Sequence, residues 1–284
     1  GFDNDSIHCM CSFLSNRFLA VWVDLVLSEW IKIDVGVPQG SILGPLFFIL
    51  FANDLPESVD SELEEYADDS TLTESSQNME VINNKLNKSC EEIKVWMEQN
   101  KLCLNADKTK LIIAGTSKRL NTLDENQINI AVDNNKVDKE DNEKLLGVYI
   151  QSNLKWSTHV HETIKTLKKR LNALVKIREI APFKIRKMIY EGIFVSVLTH
   201  CISVWGGLSK HELEDLQILQ NKAVRVVLKL PPRSNRQAMF KEVGLMTVKQ
   251  LIFYHTVKNI LKIRLAKEPE YLYDIFKNEN IGGN

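Results

Sequence analysis

The chain has 284 residues, of which 44% are hydrophobic and 26% are charged, and this composition excludes a wholly disordered protein. Its apolar runs are shorter than the ~18–20 residues of a membrane-spanning helix, so we expect no membrane partner. The net charge of −1 conceals an acidic first part, with 13 basic and 26 acidic residues in 1–150, and a basic second part, with 23 basic and 11 acidic residues in 151–284.

The first predicted elements are short strands and a turn-rich loop. FLAVWV (18–23) and WIKIDV (30–35) have the apolar content and alternation of strands. GVPQGSILGP (36–45) contains three glycines and two prolines, which favour a defined loop over a regular helix. A helix is predicted from about 45 to 53, with Pro45 in its first turn.

The middle of the chain is predicted to mix one long helix with strands. Residues 77–100 carry apolar side chains at spacings of three or four, which predicts an amphipathic helix. Short strands are predicted at 101–105, 110–115 and 145–150. INIAVDNNKV (128–137) predicts a hairpin, because Asp and Asn tolerate tight turns.

After Trp156 the pattern is helical. Helices are predicted at about 157–179, 183–200, 210–230 and 246–266. The first of them surrounds its apolar stripe with basic residues. A part with this much positive charge is typical of a protein that follows a phosphate backbone.

Two adjacent carboxylates, Asp68 and Asp69, stand in EEYADDSTL (64–72). A tight turn between strands can aim such a pair at one cation, and hard ions such as Mg²⁺ prefer oxygen ligands. In two-metal phosphoryl transfer, one ion activates the attacking oxygen and the other stabilises the leaving group. Most adjacent aspartates are only solvated turn residues, so the flanking motifs decide between the two interpretations.

The succession of motifs resembles the reverse transcriptase domain of non-LTR retrotransposons, jockey-like elements in particular. The segments that carry the resemblance are GVPQGSILGP (36–45), FANDLP (51–56), YADD (66–69), WMEQNKLCLNADKTK (96–110), KLLGVYIQSNLKW (144–156), HVHETIKTLKKRL (159–171), THCISVWGG (199–207) and LQILQNKAVRVVL (216–228). They cover nearly the whole chain, and a GVPQGS segment followed by YADD at this distance is a specific signal.

The resemblance implies an α+β fold, with a partial reverse-transcriptase palm followed by helices. The palm, an antiparallel sheet with packed helices, would occupy 1–153 and include the GVPQGS loop and the YADD hairpin. An all-α, thumb-like basic region would occupy 154–230. A C-terminal helical tail would occupy 231–284.

The resemblance also assigns catalytic roles. Asp68 and Asp69 are expected to be catalytic metal ligands, and Lys108 is expected near the nucleotide phosphates as a proton donor to pyrophosphate. The alternative interpretation of Lys108 is a solvated turn lysine.

Three further groups of residues are expected to contact nucleotide or nucleic acid. The nucleotide- and template-binding group consists of Pro38, Gln39, Gly40, Ser41 and Tyr66. The primer grip consists of Leu146 and Gly147, where glycine would permit a bend of the strand. The basic group of the thumb-like helix consists of Lys165, Lys168, Lys169 and Arg170, for which an ordinary charged surface helix is the alternative.

The implied function is an RNA-directed DNA polymerase that uses Mg²⁺, with Mn²⁺ as an alternative ion. Its partners would be an RNA template, a DNA primer and dNTPs. Five scattered cysteines indicate reduced thiols and an intracellular protein. The parent element is expected to act in the nucleus and the cytoplasm.

Two departures from the family pattern bear on activity. The third family carboxylate lies in a D-x-x-K-A-F-D segment before GVPQGS, and no residues here match it. The N-terminal palm and fingers of the parent polyprotein are therefore expected to be missing, and this chain alone to be inactive or weak. In SELEEY (61–66), Glu64 and Glu65 replace buried apolar residues, which suggests a water-exposed sheet face or a decayed copy. The alternative function is thus a catalytically dead remnant that at most binds nucleic acid.

Overall fold

The computed structural model describes residues 2–123, 127–133 and 135–277. The chain divides into two compact units, and each unit is built from two separate stretches of the sequence. The first unit comprises Gly1–Thr109 with Leu123–Asp138, and the second comprises Lys110–Thr122 with Lys139–Asn284. Within the described residues, the structure contains no helix that is both long and apolar enough to cross a membrane.

Within its described residues, the first unit combines three α-helices with short strands. Its elements are α1 (Asn4–Leu14), β1 (Arg17–Leu19), β2 (Trp22–Val23), β3 (Val26–Leu27), β4 (Ile31–Ile33), α2 (Gly44–Ala52), a 3₁₀ turn (Pro56–Ser58), β5 (Glu62–Tyr66), β6 (Asp69–Thr73), α3 (Met79–Gln99), a 3₁₀ turn (Ala106–Lys108), β8 (Ala131–Val132) and β9 (Asn135–Lys136). Its strands pair as antiparallel two-stranded sheets, β1 with β4, β2 with β3, β5 with β6 and β8 with β9.

The hydrophobic cluster under the first unit's hairpin β5–β6 is small. Leu55, Ile93 and Trp96 are its buried members, and Leu63 and Leu72 of the hairpin pack against it. An isolated two-stranded hairpin is marginal in water, so this contact with α3 supports the hairpin. Helix α3 presents its buried side to this cluster because its apolar residues recur every three or four positions.

The second unit is mostly helical. Its elements are β7 (Lys110–Leu111), α4 (Ser117–Thr122), β11 (Asn142–Leu145), β12 (Val148–Gln151), α5 (Ser157–Ile177), α6 (Phe183–Ile189), a π-helical turn (Tyr190–Val195), α7 (Ser196–Thr199), α8 (Ile202–Trp205), α9 (Lys210–Leu228), α10 (Arg236–Val243), α11 (Val248–Ala266) and α12 (Glu270–Phe276). Strand β10 (Asp138–Lys139) lies in the sequence where one unit follows the other.

A continuous hydrophobic core runs through the second unit. Leu167 and Leu174 of α5, Tyr190 and Phe194 of the π turn, and Trp205 of α8 are all completely buried in it. Helices α5 and α9 pack directly against each other within this core. Full burial of an aromatic or leucine side chain contributes about 1.5–3 kcal/mol relative to exposure, so this cluster dominates the unit's stability.

A buried amide network fixes the start of α11 against α9. Gln217 Nε2 donates to the side-chain oxygens of Gln220 and Asn221, each at 2.9 Å, and Gln217 Oε1 accepts from Val248 N at 2.9 Å. Gln220 Nε2 donates to Tyr190 Oη at 3.2 Å. Burial raises the pKa of the Tyr190 hydroxyl well above its usual value, so this hydroxyl stays neutral.

The expected α+β class is confirmed, and the predicted strands are found in part. The strand predicted at 101–105 is wrong, because the chain turns there: Lys101 has φ +57° and Leu102 N donates to Met97 O at 2.8 Å. The hairpin predicted at 128–137 forms β8 and β9, and Asn134 in its turn lies outside the described residues. The domain boundaries at 153/154 and 230/231 stay predictions.

Candidate functional site

The adjacent carboxylates lie at the tip of the β5–β6 hairpin. Tyr66 pairs with Asp69 across the two strands, which leaves Ala67 and Asp68 as a two-residue loop. Ala67 has φ +56°, the positive value that the first loop residue of a type I′ or II′ hairpin turn requires. Asp68 and Asp69 are both exposed. The local turn therefore places both aspartates at the solvent-exposed tip of the hairpin.

The register of this hairpin separates an exposed from a half-buried face. Tyr66 shares the exposed face with Asp69, Glu64 and Glu62, because side chains on a strand alternate and paired residues lie on one side. Glu65 lies on the other face, together with Leu63 and Leu72.

Glu64 and Glu65 therefore meet different environments. Glu64 points to solvent and avoids the cost of burial. Glu65 is half-buried, and this burial, reinforced by the nearby carboxylate of Asp54, raises the pKa of the Glu65 carboxyl above its ordinary value. The Glu64 carboxylate is thus solvated, whereas the charged form of the Glu65 carboxyl is unfavourable at neutral pH.

The Gly/Pro segment forms a tight turn immediately before α2. Ser41 N donates to Pro38 O at 3.2 Å and Gly40 has φ +82°, the hydrogen bond and dihedral of a type II turn with Gln39 and Gly40 at its corner. Gln39 and Gly40 are exposed, whereas Pro38 and Ser41 are half-buried. The turn therefore exposes the Gln39 side chain and the Gly40 backbone to solvent.

Two contacts hold this turn in place. Gly44 N donates to Ser41 Oγ at 2.9 Å, and a Cβ on Gly44 would lie 3.1 Å from Pro38 O, so the close approach requires glycine. At the loop's other end, Arg17 Nη2 donates to Gly36 O at 2.6 Å. The first bond is internal to the loop and the second comes from Arg17, 19 residues before Gly36, so the loop shape follows from its own sequence and one arginine.

Lys108 ends a short 3₁₀ turn in LNADKTK. Asn105 Oδ1 accepts from Lys108 N at 3.2 Å, and Asn105 O accepts from Thr109 Oγ1 at 3.1 Å. The Lys108 side chain is exposed. The first unit thus holds its candidate site residues on three separate local structures. These are the Pro38–Ser41 turn, the β5–β6 hairpin tip and the 3₁₀ turn that ends at Lys108.

The donor chemistry of the hairpin tip suits a hard cation. Two exposed carboxylates offer oxygen ligands, and ions such as Mg²⁺ commonly use one or two protein carboxylates and complete their shell with water and phosphate. Across the described ranges, no group of three or more His, Cys, Asp or Glu side chains is arranged to hold a metal ion. Asp68 and Asp69 therefore fit part of a ligand set that other oxygens must complete.

Leu146 and Gly147 form a hairpin loop, which corrects the single strand predicted at 145–150. Leu145 pairs with Val148, and the two loop residues have φ +47° and φ +86°. Positive φ at both positions defines a type I′ turn. Gly147 is therefore a turn residue of β11–β12 and not the bend of a continuous strand.

His200 contacts this turn although it lies 54 residues after Leu146 in the sequence. Its Nε2 lies 3.0 Å from Leu146 O, and because a carbonyl only accepts, Nε2 carries the proton. A Cβ on Gly147 would lie 2.9 Å from the same nitrogen. Glycine at 147 thus meets both a dihedral and a packing requirement.

A second histidine fixes strand β12 against α5. His159 Nδ1 accepts from Tyr149 N at 3.3 Å, which requires a neutral imidazole. Burial, followed by the charge of His200, lowers the pKa of His159 and favours that form. Trp205 packs edge-on against His159 with ring centroids 5.0 Å apart, and its Nε1 donates to His200 O at 2.7 Å. His159 and His200 were not among the predicted site residues; the segments HVHETIKTLKKRL and THCISVWGG contain them, but no spacing joins them.

The basic residues of α5 lie on its solvent side. Leu167 and Leu174 face the core, whereas Lys165, Lys168, Lys169 and Arg170 are exposed. Lys165 forms an ion pair with Glu162 at 3.3 Å. Lys168, Lys169 and Arg170 form no ion pair with any described residue. This cluster of three cations is available to an anionic partner.

Comparison with known proteins gives a consistent result. The sequence profile of the family described as reverse transcriptase (RNA-dependent DNA polymerase) matches residues 6–150. The chain is 25% identical over 264 residues to the probable RNA-directed DNA polymerase from transposon BS of Drosophila melanogaster, covering 89% of this chain and 29% of that protein. It is 26% identical over 231 residues to the RNA-directed DNA polymerase from mobile element jockey of the same species, covering 78% of this chain and 25% of that protein. The chain therefore spans less than a third of the length of these curated relatives.

Proposed function

Because the chain belongs to the reverse transcriptase (RNA-dependent DNA polymerase) family, we propose that it is the polymerase portion of a non-LTR mobile-element protein that copies RNA into DNA. The observation that carries this proposal is the exposed tip of the β5–β6 hairpin, where Asp68 lies in the two-residue loop and Asp69 begins the following strand. Their position within the stretch matched by the family supports a catalytic role. The likeness to the jockey and BS polymerases supports the assignment to mobile elements.

The proposed reaction is nucleotidyl transfer. The 3′-hydroxyl oxygen of a DNA primer attacks the α-phosphorus of a dNTP, the bond to the bridging oxygen of the β-phosphate breaks, and pyrophosphate leaves. The hydroxyl proton passes to solvent water, and the Lys108 ammonium group donates a proton to the departing pyrophosphate. An RNA strand supplies the template.

Members of the family generally use a divalent metal ion, and we assign Mg²⁺, with Mn²⁺ as an alternative. Asp68 and Asp69 would hold it through carboxylate oxygens. When bound, such an ion neutralises charge that develops on the phosphoryl oxygens. Among the chain's own residues, Asp68 is the more essential by family resemblance, because the second aspartate is usually secondary.

The Pro38–Ser41 turn is proposed to receive the nucleotide and template base. Gln39 stands exposed at the turn corner, and the Gly40 backbone can approach a base closely because no side chain intervenes. Tyr66 lies on the same hairpin face as Asp69 and would contact the same substrate.

The second unit is proposed to hold nucleic acid. The Leu146–Gly147 turn, fixed by His200, would contact the primer, and the exposed cations of α5 would contact phosphates. The remaining palm and the fingers would come from another part of the parent polyprotein. A nuclear and cytoplasmic site of action is proposed for that parent.

The decisive experiment is template-dependent primer extension with Mg²⁺. The chain 1–284 alone is expected to extend a primer weakly or not at all, whereas the parent polyprotein is expected to extend it efficiently. Asp68→Asn in the parent should abolish extension, and the exposed neighbour Glu62→Gln should leave it intact. Efficient extension by the Asp68→Asn parent would remove the assigned role of Asp68.

Metal binding can be measured independently of activity. Titration of the chain with Mn²⁺, followed by electron paramagnetic resonance, is expected to show binding that Asp68→Asn and Asp69→Asn each weaken. Glu64→Gln changes the same amount of charge on the same hairpin face and serves as the matched control. Equal weakening by all three substitutions would indicate a diffuse acidic surface and no defined ligand pair.

A second candidate function is a catalytically inactive remnant that binds nucleic acid. Half-burial of the Glu65 carboxylate, at a position where the family pattern expects an apolar side chain, favours this alternative. If the parent polyprotein, restored to a full set of catalytic carboxylates, binds a primer–template but extends nothing, the remnant is the better description.

A further inference from the structure

Helix α11 is anchored by packing against α7, α8, α9 and α12. Val248 and Leu251 are buried in the second unit's core, and Asn259 Nδ2 donates to Ser203 Oγ at 2.6 Å. A Cβ on Gly206 would lie 2.8 Å from Ile252 Cγ2, which shows how closely α8 and α11 approach. Thr247 and Gln250 form a capping box that fixes the first turn. The helix is therefore a rigid element with a defined outer side.

The outer side of α11 carries large exposed apolar and aromatic side chains. Phe253 is 71% exposed and Tyr254 is 45% exposed. Leu261 and Leu265 are 49% and 84% exposed and follow Tyr254 at spacings of seven and four, which places all three along one strip of the helix. A contiguous strip of exposed apolar side chains marks a binding surface more often than a single exposed apolar residue does.

The same helix has a uniform positive charge. Its 19 residues include Lys249, Lys258, Lys262 and Arg264 and no aspartate or glutamate. All four cations are exposed. Lys258 Nζ lies 6.0 Å from the centroid of the Tyr254 ring, so charge and ring belong to one patch. The acidic residues that follow, Glu268, Glu270 and Asp274, belong to the next segment and α12.

We propose that the outer side of α11 is a binding platform for single-stranded nucleic acid, distinct from the cations of α5. Phe253 and Tyr254 would stack on bases, and Lys258 and Lys262 would contact the adjacent phosphates. Proteins that bind single strands without sequence preference combine aromatic stacking with a positive surface in this way. The uniform charge of the helix matches an anionic partner.

The distribution of residues favours a nucleic acid over an anionic membrane. A helix that lies on a membrane separates a broad apolar face from a cationic face. On α11 the Lys258 ammonium group lies beside the Tyr254 ring, so this cation and this ring share one face of the helix. A base and its phosphate lie a few ångströms apart and match this interleaving.

The proposal rests on the proposed function only for the class of partner, and its test separates the two. The chain 1–284 is titrated into a fluorescent oligouridylate of about 16 nucleotides, the upper end of typical single-strand site sizes. Phe253→Ala with Tyr254→Ala is expected to weaken binding about a hundredfold, because each of the two lost stacking contacts is worth about tenfold. Binding to an RNA duplex, whose bases are already stacked, should change little.

Matched variants make the outcome specific. Phe253→Tyr with Tyr254→Phe keeps both rings and should bind the oligouridylate like the parent, and Phe183→Ala removes an aromatic ring that is 45% exposed on α6 and should do the same. Circular dichroism melting checks that each variant is folded. Equal binding by the parent and the Phe253→Ala, Tyr254→Ala variant would overturn the proposal.

The cations give a second readout. Lys258→Gln with Lys262→Gln should reduce the slope of log affinity against log salt by about 1.4, since each lost phosphate contact to a single strand removes about 0.7. An unchanged slope would overturn their part in the platform. Loss of binding to phosphatidylserine vesicles, with RNA binding intact, would assign α11 to a membrane and overturn the proposal.

Failure of this proposal is distinguishable from failure of the proposed function. The variant Lys168→Gln, Lys169→Gln, Arg170→Gln tests the α5 surface in the same titration. Weakening by the α5 variant alone would leave the proposed function standing and overturn the platform. Weakening by the α11 variants alone would uphold the platform and remove the role assigned to α5.

Discussion

The two units stabilise their functional residues in different ways. In the first unit, the candidate catalytic residues stand on exposed turns that are held by local hydrogen bonds, above a small cluster of Leu55, Ile93 and Trp96. In the second unit, the turn at Leu146–Gly147 is held by His200, and His200 is in turn held by the fully buried Trp205. A short sequence motif can therefore determine the shape of its own loop, whereas a loop without such a motif depends on packing against residues distant in the sequence.

The largest expected effect tests the packed core of the second unit. Trp205→Ala should lower the free energy of unfolding by about 3–5 kcal/mol, because it leaves a cavity beside His159 and removes the bond to His200 O. Urea unfolding measures the change. Trp22→Ala, at a first-unit tryptophan that is 63% exposed, is the matched control and should stay within about 0.5 kcal/mol. A similar loss of unfolding free energy in both variants would contradict the contrast between the two units.

A smaller effect is expected at the two kinds of glycine turn. Gly147→Ala should cost about 1–3 kcal/mol, because alanine resists φ +86° and its Cβ would meet His200 Nε2. In a His200→Ala background the same substitution should cost less, since only the dihedral strain remains. Gly36→Ala in the first unit, with φ +72° and open space around it, isolates that strain. Equal costs at both glycines in the wild-type chain would show that His200 does not constrain the turn.

The charge contrast between the units can be tested by salt dependence. Lys168→Gln, Lys169→Gln, Arg170→Gln should reduce the slope of log affinity for single-stranded RNA against log salt by about 2. Lys85→Gln with Lys88→Gln in the first unit should leave the slope unchanged, because both lysines are paired with carboxylates. A slope that responds to the first-unit lysines would contradict the division into an acidic and a basic part.

The smallest effect concerns pH and the Glu65 carboxyl. Its pKa is raised in the folded chain, so the group contributes stability below its unfolded value of about 4.5 and loses that contribution as the pH rises through the folded pKa. Glu65→Gln should therefore raise the free energy of unfolding at pH 7 by less than about 0.5 kcal/mol, measured as a higher urea midpoint, and should leave it unchanged below about pH 4. Glu64→Gln, on the exposed face, is the control. A midpoint that responds equally to both variants would show that burial of Glu65 is not the cause.

The family and the α+β class were predictable from sequence and are confirmed, because both depend on local patterns. The helix predicted at 157–179 corresponds to Ser157–Ile177, since its apolar residues repeat over many turns. Helix α1 was not predicted, and none of its residues is buried. Helix α10 was also not predicted, since its eight residues are too few to show a repeating apolar pattern.

The candidate site divides in the same way. The turn at Ala67–Asp68 and the loop at Pro38–Ser41 were predictable because glycine, proline and adjacent aspartates mark them. The loop at Leu146–Gly147 was not, because LLGVYI is a continuous apolar run and the partner that stabilises the turn is 54 residues away in the sequence. The roles of the site residues stay predictions.

The register of the β5–β6 hairpin has a consequence for any measurement of its ion affinity. Glu62, Glu64 and Asp69 share one solvent face, so their combined potential attracts every mobile cation in the buffer, including Na⁺ and polyamines. At an ionic strength of about 0.1 M this potential decays within about 10 Å, and at lower ionic strength it reaches further. A dissociation constant for the Asp68–Asp69 pair is therefore a property of the hairpin together with its counterions, and it carries meaning only at a stated salt concentration.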